Sequence, residues 1–114
     1  MEVAVNVELK TLHILQDITF YNSTPDSLSS IVLNDWNNAS SEKNTPLAKR
    51  FSDEFYRGFH LANADERGST SILSLTDSDY VDFEWERTIE NPDLIVVKLK
   101  HKLAPNEKIN LQVT

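Results

Sequence analysis

A mainly β fold, an antiparallel β-sandwich of about seven strands with one inserted α-helix, is what this sequence predicts, on three observations. Apolar and polar residues alternate with period two through most of the chain. Clusters of Pro, Asn, Asp and Ser interrupt the alternation at the spacing of sandwich turns. One window, after Thr45-Pro46, has a helical period instead.

The elements follow in chain order. Val3, Val5, Val7 and Leu9 alternate with Ala4, Asn6, Glu8 and Lys10, which predicts a first strand with one face buried. After Lys10-Thr11 the phase shifts, and Leu12, Ile14, Ile18 and Phe20 carry a second strand to Asn22, its expected antiparallel neighbour, although no Asn-Gly marks the turn. Ser23-Thr24-Pro25-Asp26-Ser27 is a turn, because Pro25 presets φ and Asp26 and Ser27 hydrogen-bond locally. Leu28 to Leu33 reads as strand three. Thr45 can cap a helix whose first residue is Pro46, and Leu47, Phe51, Phe55 and Phe59 recur every four residues, so one helix of about three turns is expected, fraying near Gly58. Ser71 to Leu75 is a short strand. In the next, Val81, Phe83 and Trp85 oppose Asp82, Glu84 and Glu86. Ile95, Val97 and Leu99 line another inward face, Ala104 to Glu107 turns the chain, and Ile109, Leu111 and Val113 begin a last strand.

With 114 residues, the chain has the size of a single domain spanning 1–114. The absence of cysteine removes disulfides and thiolate chemistry, so packing must supply stability. Eighteen acidic residues against eleven basic give a net charge of -7, and with no basic stripe, nucleic acid is not an expected partner. No apolar run approaches the ~20 residues of a membrane span, so no membrane segment is expected. MEVAVNVELK lacks the charged-then-apolar order of a signal peptide, and the compartment stays open.

Catalytic patterns are sparse. His13, His60 and His101 stand on separate elements with no i, i+4 partner, and no G-x-S-x-G elbow accompanies the serines. Asp82, Glu84 and Glu86 have the spacing of a solvated sheet face. Asp77-Ser78-Asp79 lacks the distal Glu of an EF-hand calcium loop, since Thr88 stands there, and reads as a turn. Asn22-Ser23-Thr24 and Asn38-Ala39-Ser40 match the glycosylation triplet, which is common by chance. Trp36, between Asn34, Asp35, Asn37 and Asn38, has two readings. It is a sugar-stacking platform or a core plug, and spacing favours the core if the chain bends after Leu33 so that Ile31, Leu33 and Trp36 cluster.

Two stretches carry a resemblance. The first is Tyr21-Asn22, then Pro25-Asp26 and Leu28, then Leu33 followed by Trp36-Asn37-Asn38-Ala39. The second is Leu103-Ala104-Pro105-Asn106-Glu107 before the last strand. In order and content they resemble the N-terminal β domain of aminopeptidase N-like (gluzincin) zinc metallopeptidases, which has a Y-x-N, S-P-D-x-L, L-x-x-W/Y-P-N-A progression and a late L-A-P-G-E turn. Asn37 replaces the family's frequent Pro and Asn106 its frequent Gly. Residues 51–89 carry no family motif. The resemblance implies a non-catalytic domain, a piece of a longer protein, that packs against a downstream catalytic domain and helps wall its substrate cleft. Zinc and its H-E-x-x-H helix would lie in that other domain, with no cofactor here. The alternation still runs at Thr114, so an open last-strand edge and weak self-association are expected. A stand-alone glycan-binding or adhesion sandwich using Trp36 is the competing expectation.

Overall fold

The computed structural model describes residues 1–114. It is mainly β, with 39% of residues in seven strands that form two antiparallel sheets, an arrangement consistent with a β-sandwich. The first sheet has the order β1 (Glu2–Asn6), β2 (Thr11–Tyr21), β7 (Lys108–Val113), β4 (Leu75–Thr76). The second has the order β3 (Leu28–Asn34), β6 (Leu94–Leu103), β5 (Glu84–Glu86). The chain divides into two compact units, one of Met1–Ile31, Ile72–Glu84 and Lys98–Thr114, the other of Val32–Ser71 and Trp85–Val97.

In the first unit β2 pairs antiparallel with β1 over residues 11–15 and with β7 over residues 16–21. Leu111, fully buried opposite Ile18, and Leu75, Ile31, Phe83 and Leu103 form its core. β7 lies between β2 and β4, so the open edge expected at the last strand is paired on both sides; β1 and β4 end this sheet instead. The β1–β2 turn works without Asn-Gly because Asn6 Oδ1 accepts the Leu9 N–H at 3.0 Å and Lys10 takes the left-handed conformation at φ 53°. The first strand stops at Asn6, short of its alternation, so Val7 and Leu9 fall in the turn; both faces of the strand are exposed, and the expected buried face is not found.

The acidic strand is shorter than its alternation. Only Glu84–Glu86 is strand, with an isolated Thr76–Asp82 bridge before it, and the expected Ser71–Leu75 strand narrows to Leu75–Thr76. Between them Asp77 Oδ1 accepts the N–H groups of Asp79 and Val81, both at 2.9 Å, which makes the D-x-D a turn. Asp82, Glu84 and Glu86 are exposed.

In the second unit, Thr45 Oγ1 caps α1 (Pro46–Asp53) by accepting the Ala48 N–H at 3.2 Å, and Pro46 is its first residue. The predicted single helix is in fact two. Phe55 adopts φ 58°, Tyr56 N–H donates to the Phe51 carbonyl at 2.8 Å and Phe55 N–H to that of Ser52 at 3.0 Å. Those two bonds form a Schellman stop, completed by the Tyr56 ring against that of Phe51 with centroids 5.2 Å apart. Phe55 therefore leaves the apolar stripe and is 87% exposed, while Gly58, expected at a fraying end, opens α2 (Gly58–Leu61). Phe59 returns to Phe51 at 5.4 Å, and the His60 Nε2–H donates to the Ala48 carbonyl at 3.0 Å. Ala39, Ala48, Ile95 and Val97 are the buried apolar residues of this unit.

Candidate functional site

The residues singled out by the resemblance fall into two groups. Tyr21, Asn22, Pro25, Asp26, Leu28, Leu103, Pro105 and Glu107 belong to the first unit; Leu33, Trp36, Asn37, Asn38 and Ala39 belong to the second.

The first group converges on Asn22. Its side chain is fully buried, and an amide can both donate and accept. Nδ2 donates to the carbonyls of Asp26 at 2.8 Å, Leu103 at 3.0 Å and Ala104 at 3.1 Å. Oδ1 accepts from Thr24 N at 3.0 Å and Thr24 Oγ1 at 2.7 Å. The backbone adds Asn22 N–H to Glu107 O at 2.9 Å and Asn106 N–H to Asn22 O at 2.8 Å. The partner turn runs from Ala104 to Glu107, closed by Glu107 N–H to Ala104 O at 3.1 Å. Pro105 and then Asn106 at φ 65° are the residues a type II turn selects, since its third position needs positive φ. Glu107 Oε2 accepts the Ala104 N–H at 2.8 Å, and the Tyr21 hydroxyl donates to Asn106 Oδ1 at 2.9 Å. Pro25 and Asp26 are exposed, and Asp26 contributes only its carbonyl to this corner. Leu28 is half-buried and Leu103 buried.

The second group forms a braced turn. After β3 the chain makes a 3-10 turn, Trp36–Ser40. Asp35 Oδ2 pairs with Arg87 Nη2 at 2.6 Å, and Asp35 Oδ1 accepts from Thr70 Oγ1 at 2.9 Å. Arg87 Nη1 and Asn38 Nδ2 both donate to the Pro92 carbonyl, at 2.9 and 2.7 Å, and Asn38 Oδ1 accepts the Thr70 N–H at 3.2 Å. Asn37 Nδ2 reaches Ser69 O at 2.7 Å, and a Cβ on Gly68 would overlap the Asn37 side-chain oxygen. With every one of these polar groups satisfied, Asp35, Asn38 and Ala39 take the inside of the turn. Trp36 is left 74% exposed, which corrects its expected place in the core beside Ile31 and Leu33. Asp35, Thr70 and Arg87 were not singled out by the sequence reading. They lie 35 and 52 positions apart, and no local spacing links them.

Neither group presents catalytic chemistry. No set of three or more His, Asp or Glu side chains is placed to hold a metal ion, so the donors present do not fit a zinc site and no step is derived through one. Asn22 and Asn38 are buried, which removes both glycosylation triplets from the folded surface. No helix is long and apolar enough to cross a membrane. Comparison with protein-family models, with curated proteins and with solved structures returned no match.

Proposed function

We propose that the chain is a non-catalytic, N-terminal-type domain of an aminopeptidase N-like zinc metallopeptidase, which packs against a downstream catalytic domain and helps wall its substrate cleft. The observation that carries this reading is the Asn22 corner. The two stretches that carry the resemblance lie 81 positions apart between Asn22 and Leu103, yet they close on each other through a buried amide. Asn106 also supports it, because it adopts positive φ where the family's turn has Gly, and Asn is the residue that best tolerates that conformation after Gly. The departure from the family pattern thus keeps the turn's backbone. The coding sequence on the far side of the Thr114 codon tests the reading. An H-E-x-x-H followed by a distal Glu is the expected result; a gene that closes near that codon overturns it.

One observation favours a second reading. Trp36 is held outward by a turn with little freedom, as a sugar-stacking platform would be. Against it, Asp35, Asn37 and Asn38 already spend their polar atoms within the protein. Quenching of tryptophan fluorescence by an oligosaccharide, abolished in Trp36→Ala, would establish this reading over the first.

A further inference from the structure

The direction of each backbone group along β2 follows from its end. Asn22 N–H donates to Glu107 O at 2.9 Å and Asn22 O accepts Asn106 N–H at 2.8 Å, so Asn22 turns both main-chain groups toward the β7 edge. Successive residues of a strand turn theirs to opposite edges. Phe20, Ile18 and Gln16 therefore face β7 too, while Thr11, His13 and Leu15 face β1 on the other edge. The same alternation brings Ile14 and Leu12 back to the β7 edge, where β7 has run out. Its last pair with β2 is Val113 with Gln16, and one register step further sets Thr114 beside Leu15. The N–H and C=O groups of Leu12 and Ile14 thus line an unfilled strand position in line with β7. Their side chains, 61% and 38% exposed, stand on the face that carries Ile18 and Leu111. Thr114 is aimed at that position, because its N–H donates to the Ser74 carbonyl at 3.0 Å and its carbonyl accepts the Leu73 N–H at 2.7 Å, which holds it in the line of β7.

We propose that, in the longer protein of the preceding reading, on which this inference rests, the residues that follow Thr114 fill this position as an added strand that prolongs β7. Unpaired edge groups define what fits, since only another extended backbone presents donors and acceptors at their spacing. A segment tethered to Thr114 needs no large interface, because its effective concentration beside β2 is high. Register then fixes the pattern of the occupant. The first and third residues after Thr114 fall opposite Ile14 and Leu12, share their apolar face and must keep N–H groups for the ladder, which excludes proline. The second and fourth fall opposite His13 and Thr11, on the polar face.

The coding sequence and amide exchange together test this. The first and third residues after Thr114 should be apolar. In the chain lengthened by its next ~6 coded residues, the Leu12 and Ile14 amides should exchange at least ~10-fold more slowly than in the 114-residue chain. Those of Asp17 and Thr19, which face the other edge, should not change. Proline in place of the first added residue should restore fast exchange at Ile14. Unchanged exchange at Leu12 and Ile14, equal slowing at Asp17 and Thr19, or a charged residue or proline at the first or third position overturns the added strand. With an H-E-x-x-H further on, any of these leaves the domain reading in place, whereas a gene that closes near the Thr114 codon overturns both.

Discussion

The two halves of β2 have the same alternation and opposite fates. From Gln16 to Tyr21 the strand pairs with β7, its apolar side meets Leu111, and it ends at the hydrogen-bonded Asn22 corner. From Thr11 to Leu15 it pairs only with β1, and its apolar side faces water. A period-two pattern therefore specifies which residues share a face, and what that face meets is set by distant segments. In the second half those segments are β7 and the 104–107 turn. In the first half there are none within the chain.

The largest test of this contrast strikes the braced end. Asn22→Asp puts a carboxylate against the carbonyls of Asp26, Leu103 and Ala104, and is expected to cost about 3–5 kcal/mol at neutral pH. Asn22→Ala, which only removes partners, should cost about 2–3 kcal/mol. Urea denaturation measures both, and two near-neutral results would mean the corner does not hold the strand. Within the sheet, Leu111→Ala should cost about 2–5 kcal/mol and Leu12→Ala no more than ~0.5, because only the first opens a cavity. Equal costs would show that the arm is packed after all.

The smallest effect has the opposite sign and extends the comparison to an exposed aromatic. Phe55 holds the left-handed conformation that ends α1 while its ring lies in solvent. Phe55→Gly should therefore stabilise the protein by about 1 kcal/mol. Destabilisation would mean that the ring makes contacts that outweigh the backbone strain.

Most strands were legible because alternation and turn chemistry are local. So was the helix start, where Thr45 and Pro46 act within one turn. The helix end was not: the Leu47, Phe51, Phe55, Phe59 spacing satisfies a continuous helix, and only the Schellman bonds at Phe51 and Ser52 break it. At Trp36 the outcome depended on Thr70, Arg87 and Pro92, whose carboxylate and amide partners made the polar side of the turn the better one to bury. The Asn22 corner was half legible. Both stretches stand out in the sequence, but nothing local shows that they meet.

Native-state amide exchange along β2 tests the central claim most directly: one strand is anchored by the fold at one end and bare at the other. At ~10 µM, the hydrogen-bonded amides from Gln16 to Tyr21 should exchange only through global opening, and those from Thr11 to Leu15 at least ~100-fold faster. Uniform protection from Thr11 to Tyr21 would contradict the account.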